Sequence, residues 1–507
     1  MPNCLDRASL VVDSSLTMGD VLARVAKVQG DRPLVEEAHG PRWTYPQAAE
    51  ALGRYAGGIA ARTAVGDRVV IATGNTYAQL LLAMAVCRAG GIAVPVNPHM
   101  QDEEIDHVIA DSGATLVIRT PADVEAGTAL SDAEVSARRP DPGAVAAIFY
   151  TSGTTGRPKG AELTHRALIG QLNALALVPT TLRRDELLAS LPVAHIMGFS
   201  VLLTALVAGI PVFFQPRFQA PEVLDAIERR QSTIFVGVPA MYRLLLEAGA
   251  EERDLSSIRV WASGADVMPP ELARRFQKMG ALVTLPMIHK SLGAAAFVEG
   301  YGMVETGGAV AAKVGLPGVA IGIPFLGDTL GIPMPRYRFR VVDDDGAGVP
   351  VGQVGELLVK GPGVLSGYHG DPAATANVID ADGWLHTGDL ARRGLFGLVS
   401  FAGRAKDVIK SGGYSVYAVE IERVMEEHPD VTEAAAVGLP DERLGERTAV
   451  AVIVRAGATV TEDALMAWAA ERLSTYKRPR IVRIVDELPR TGTQKVAKLR
   501  LLEVFAA

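Results

Sequence analysis

Residues 150–160 read YTSGTTGRPKG and follow directly on the apolar run 146–149, AAIF. A short apolar run bounded by Ser, Thr and Gly predicts a buried strand that delivers a turn. Gly153 and Gly156 let backbone N–H groups face an anion, Thr151, Ser152, Thr154 and Thr155 add hydroxyl donors, and Lys159 adds a cation. Such a turn suits a triphosphate or its pyrophosphate fragment. It is not a Walker A loop, which needs Gly before its Lys and Ser or Thr after it; here Pro158 precedes Lys159 and Gly160 follows. Residues 160–163 read as extended, and Thr164 is placed to cap a helix starting near His165.

Outward from this turn, the first 120 residues alternate strand-like and helix-like periods. Strands are expected at 68–72, 91–96 and 115–119, and helices at 76–88 and 101–112. That rhythm, resumed at 146–150 and past Val236, indicates parallel sheet with crossover helices. From about Gly322 the pattern changes to short strands at 338–342, 355–359 and 398–401, a barrel-like β region. After Gly403 it resets to compact α+β: a strand at 407–409, a helix at 418–427, strands near 434–437 and 449–454, and a helix at 462–473.

Size and composition narrow the function. The 507 residues exceed a usual single domain, and 49% hydrophobic with 21% charged residues is ordinary for a globular chain. A net charge of −7 with scattered basic residues argues against nucleic-acid binding. Cys4 and Cys87 make no disulfide framework and no metal-ligand spacing, so a cytoplasmic setting is expected. The stretch 196–214 is apolar enough to suggest a membrane span. Gly198, Gly209 and Pro211 break it, and a buried helix followed by a buried strand is the expectation. Peripheral membrane contact stays open.

The string 150–160 resembles the signature of the adenylate-forming superfamily: acyl- and aryl-CoA synthetases, luciferase and peptide-synthetase adenylation domains. Further motifs resembling that family follow in order across nearly the whole chain. The resemblance implies an α/β fold. A large N-terminal domain (1–402) would hold two sandwiched sheet subdomains plus the β-barrel-like region, and a small mobile α+β C-terminal domain (403–507) would turn about a hinge near Lys406.

It also assigns roles. Residues 301–306, YGMVET, imply that Tyr301, Gly302 and Met303 flank the adenine and that Glu305 holds Mg²⁺. Val304 stands where the family usually has Thr. Residues 263–270, SGADVMPP, imply adenine contact by Gly264, Ala265 and Asp266. Asp389, in 384–390 (WLHTGDL), matches the ribose-binding carboxylate, and Arg404, in 403–410 (GRAKDVIK), its partner at ribose and phosphate. Gly412, Gly413 and Tyr414 match the pantetheine tunnel. In 489–498, PRTGTQKVAK, Lys495 matches the catalytic lysine of adenylation, with Gln494 in place of the usual Gly. Thr155 and His195 join Lys495 and Glu305 as catalytic candidates. His195 reads equally as a core histidine.

The expected reaction is ATP- and Mg²⁺-dependent adenylation of a carboxylic acid, release of pyrophosphate and transfer to coenzyme A. Residues 191–199 and 235–242 are expected to wall the acid pocket. Apolar Ile196, Met197, Val236 and Val238, with room left at Gly198, Gly237, Gly307 and Gly308, point to a medium- or long-chain fatty acid, with aryl acids second. Loading of a carrier-protein pantetheine and a catalytically impaired regulatory protein are the competing readings. Residues 285–296 look longer than such a chain needs, and nothing in the sequence explains them.

Overall fold

The computed structural model describes residues 15–97, 100–125, 129–151, 158–169, 185–285, 290–315, 329–490 and 496–506. Two large sheets organise the N-terminal part. In the first, parallel strands Val145–Thr151, Ile92–Pro95, Arg68–Ile71 and Leu116–Ile118 are extended by antiparallel Lys159–Thr164 and Gly367–Tyr368. The second has nine strands, with Leu187–Ala189, Ile234–Gly237, Val260–Gly264 and Ala296–Met303 side by side and parallel.

Two helices with no polar face explain why the sheets stack. Tyr77–Arg88 and Ile196–Ala208 are apolar on nearly every side, so each must be covered on every side. Tyr77–Arg88 packs on the first sheet, Ile196–Ala208 on the second, and the two helices touch each other within one continuous core. The stretch 196–214 is thus a buried helix and the buried strand Val212–Phe214, and no described helix is long and apolar enough to cross a membrane.

The barrel-like expectation resolves into a four-stranded antiparallel sheet, ordered Arg338–Val342, Val354–Lys360, Leu385–Arg393, Val399–Arg404. Among the described residues its first and last strands share no ladder, so the sheet is open. The smaller C-terminal domain has five strands, with Gly445–Val454 between Val431–Asp441 and Ile481–Ile484, and its own core under helices Ala418–Glu426 and Glu462–Arg472. The unexplained length at 285–296 includes a hairpin arm pair, Val283–Leu285 with Lys290–Leu292.

Candidate active site

The strand Val145–Thr151 and its antiparallel partner Lys159–Thr164 form the arms of the hydroxyl-rich turn, with Thr151 opposite Lys159. The Thr151 hydroxyl donates to the Lys159 carbonyl at 3.4 Å. Thr164 does cap the following helix, its Oγ1 accepting from Ala167 N at 3.0 Å. Ser152, Gly153, Thr154, Thr155 and Gly156 lie outside the described residues, as do Gln494 and Lys495.

From Lys159 a chain of polar groups leads to Glu305. The Lys159 ammonium lies 3.9 Å from Asp371 and 5.5 Å from the centre of the Tyr368 ring. The Tyr368 hydroxyl donates to Glu305 Oε1 at 2.9 Å. Burial first, and then the Glu305 charge, raise the Tyr368 phenol above its ordinary value, so it stays a proton donor. Glu305 sits on a single tight turn, Val304–Thr306, that ends at Gly307 with φ 65°. Thr306 fixes this turn by accepting from Met303 N at 3.0 Å and donating to Gly308 O at 2.7 Å. Neither Tyr368 nor Asp371 stands out in the sequence: the string 367–372, GYHGDP, is an ordinary turn by composition, and no spacing connects it to residue 305.

A second chain starts four residues before Glu305. The Tyr301 hydroxyl donates to Asp389 Oδ2 at 2.6 Å, and Arg404 Nε lies 2.7 Å from Asp389 Oδ1. Asp389 is only 1% exposed. Burial, followed by the Asp389 charge, pushes the Tyr301 phenol well above its ordinary value. The Thr387 hydroxyl donates to Leu357 O at 2.6 Å and accepts from Asp389 N at 3.1 Å, which locks the carboxylate's backbone. Sheet pairing explains the convergence, because Asp389 faces Arg404 across one ladder. Gly264 lies beside Gly300 in another, bringing the 264–266 loop next to Tyr301.

That loop carries strain: Ala265 has φ 66°, a left-handed conformation uncommon for a residue with a side chain. Beside it, a Cβ on Gly264 would come within 3.1 Å of Gly300 O, a tight fit that favours the bare backbone there. Asp266 is exposed and accepts from Val267 N at 2.8 Å. His195 is the N-cap of Ile196–Ala208, with Nδ1 accepting from Met197 N at 3.3 Å. Its side chain is half-buried. Gly412 and Gly413, at φ 58° and 81°, form the two-residue turn between strands Val408–Ser411 and Tyr414–Tyr417. Tyr414 stacks on Tyr476 with ring centres 4.6 Å apart.

The donor chemistry fits magnesium and a nucleotide. Mg²⁺ is characteristically held by one or two carboxylates plus substrate phosphates, and Glu305, linked through Tyr368 to Lys159, is a carboxylate of that type. Asp389, with its orienting Tyr301 and Arg404, supplies the acceptor type that a vicinal diol needs.

Two polar chains, one running from Lys159 to Glu305 and the other from Tyr301 to a buried carboxylate, converge on the 301–305 segment of a layered α/β scaffold, an arrangement suited to a nucleotide-dependent enzyme. The chain belongs to the AMP-binding enzyme family, whose model matches residues 22–369, while that of the AMP-binding enzyme C-terminal domain matches 420–495. It is an AMP-forming acid–thiol ligase that uses ATP, Mg²⁺ and coenzyme A. It is 35% identical to a feruloyl-CoA synthase of Amycolatopsis sp over 90% of this chain and 93% of that one. It is 32% identical to the indoleacetate–CoA ligase of Aromatoleum aromaticum, over 90% and 92%. Among solved structures it resembles ATP-bound MatB from Rhodopseudomonas palustris, with TM-score 0.80 and 29% identity over 97% of this chain and 99% of that one.

Proposed function

We propose that the two polar chains hold ATP, with triphosphate at the 151–159 hairpin and Glu305, and ribose at Asp389. The single observation that carries this is their meeting at the 301–305 segment, which puts a carboxylate suited to Mg²⁺ four residues from the phenol orienting a diol acceptor. In the first half-reaction the substrate carboxylate attacks the α-phosphorus and pyrophosphate leaves. Lys495 neutralises charge on the α-phosphate and the entering carboxylate oxygen. In the second, the thiol of coenzyme A attacks the acyl carbon and AMP leaves. Mg²⁺, when bound, offsets phosphate charge. Lys406, exposed on the short turn Ala405–Asp407 between strands of different sheets, serves as the hinge between the two poses.

The acid we propose is a compact, ring-bearing hydrophobic one. Behind the pocket strands Ile234–Gly237 and Val260–Gly264 the space is filled by Phe235, Tyr242, Trp261, Phe276 and Phe297. Their ring centres lie 4.8 to 6.1 Å apart, and all five are buried. These rings form a close-packed aromatic layer against those strands. The relatives named for ferulate and indoleacetate support the same class, and neither lends weight to the fatty-acid expectation. The test is acid-dependent pyrophosphate release over cinnamates, indole acids and saturated acids of increasing length, with and without coenzyme A. Highest kcat/KM on an aryl acid is expected; a maximum on a saturated long-chain acid would restore the fatty-acid reading.

A further inference from the structure

The helix Pro239–Glu247 follows the pocket strand Ile234–Gly237 and is anchored by Tyr242, fully buried, whose hydroxyl donates to Ala262 O at 2.7 Å. The next residue, Arg243, points the other way, into the C-terminal domain. Its guanidinium donates to three acceptors there: Glu426 at 2.9 Å, Glu433 at 3.2 Å and the Thr432 carbonyl at 3.2 Å. Glu433, buried, is shared, because its other oxygen receives Arg490 at 2.5 Å. Arg490 is the last described residue before 491–495, the segment that contains Lys495.

We propose that Arg243 is a positioning residue for the adenylation half-reaction: through Glu433 and Arg490 it clamps the C-terminal domain in the pose that presents Lys495 to the nucleotide. A single planar fork spanning a helix end and a strand fixes both distance and rotation between the domains, which a point-charge lysine does not. The clamp ties Arg490 to the helix that follows the strand Ile234–Gly237. Desolvation in this contact pushes the Glu426 carboxyl up to about 7 against the opposing influence of Arg243, so Arg243 is what favours a charged acceptor there. In the thioester-forming pose the C-terminal domain has turned about Lys406 and this contact is open.

The inference rests on the assignment of Lys495, and the experiment separates the two. Single-turnover acyl-adenylate formation, and thioester formation from supplied acyl-adenylate plus coenzyme A, are measured for wild type, Arg243→Ala, Arg243→Lys and Lys495→Ala. Arg243→Ala is expected to slow adenylation by about tenfold or more, the scale of losing a buried hydrogen-bonded charge pair, and to leave thioester formation within about twofold. Arg243→Lys should recover less than half of that loss. Equal effects on both half-reactions, no effect on either, or full recovery by lysine would overturn the clamp. Adenylation retained in Lys495→Ala would instead overturn the lysine assignment. Should Arg243→Ala fail to fold, Glu426→Gln, which removes one acceptor and keeps the volume, takes its place with the same split expected.

Discussion

Replacing Asp389 by Asn probes the proposed ribose contact at a buried charge. The side-chain volume is kept, one carboxylate oxygen becomes an amide donor, and the negative charge disappears. The contacts with the Tyr301 hydroxyl at 2.6 Å and with Arg404 Nε at 2.7 Å are affected. The Arg404 side chain is 40% exposed, so solvent screens its share, whereas the Tyr301 bond is enclosed. A stability loss of about 1–3 kcal/mol follows from weakening one charge-assisted bond and discounting the other. The larger consequence is in recognition. A ribose hydroxyl donating to a carboxylate contributes about 1.5–3 kcal/mol, or roughly 10- to 150-fold in kcat/KM. Steady-state kinetics with ATP and 2′-deoxy-ATP isolates that bond. The wild type should prefer ATP by about tenfold or more, and the Asn variant by less than about threefold. If the variant discriminates as strongly as the wild type, Asp389 does not hold the ribose and the reasoning fails.

Glu305→Gln should raise the Mg²⁺ concentration for half-maximal activity by at least about tenfold, read from a magnesium titration at fixed ATP, with Tyr368→Phe giving a smaller shift in the same direction; an unmoved titration would remove Glu305 from the metal. His165 is fully buried, and burial holds its imidazole down at about 4 against an ordinary 6.5, so the unfolded chain takes up a proton before the folded one does. Stability is therefore complete above pH 6.5 and falls by about 3 kcal/mol as pH drops toward 4. Urea unfolding across that range should show a shallower pH slope in His165→Gln, and identical slopes would refute the assignment. A Cβ at Gly302 would lie 2.1 Å from Gly308 O, a backbone atom that cannot swing aside. Gly302→Ala should cost about 1–3 kcal/mol, visible as a lowered Tm, and an unchanged Tm would contradict the tight crossing seen between these strands.

Local periodicity and turn chemistry made much of the fold legible. The apolar runs at 68–72 and 146–150 became Arg68–Ile71 and Val145–Thr151, and the Thr164 cap was readable because capping acts over three residues. The N-terminal strands Pro33–Glu37 and Arg42–Thr44 are not among the expected elements, although Thr44 and Gln47 form a capping box that announces the next helix. Pairing is a different matter. Asp389 and Tyr301 are 88 residues apart and lie in different sheets, so only the packing of one sheet against the other brings them together. Tyr368 and Arg243 were invisible for the same reason: neither sits in a spacing that implies its partner, and each acts through a contact made by a distant strand or by the other domain. His195 adds a cap to the helix Ile196–Ala208 that its residue type does not announce.

The central claim is that substrate oxygen bonds to the α-phosphorus of ATP in this site. It is tested most directly by supplying an aryl acid labelled with oxygen-18 in its carboxylate and analysing the products by mass spectrometry. Attack by the carboxylate predicts one labelled oxygen in AMP and none in pyrophosphate. Label found in inorganic phosphate, or AMP released without label while thioester forms, would contradict it.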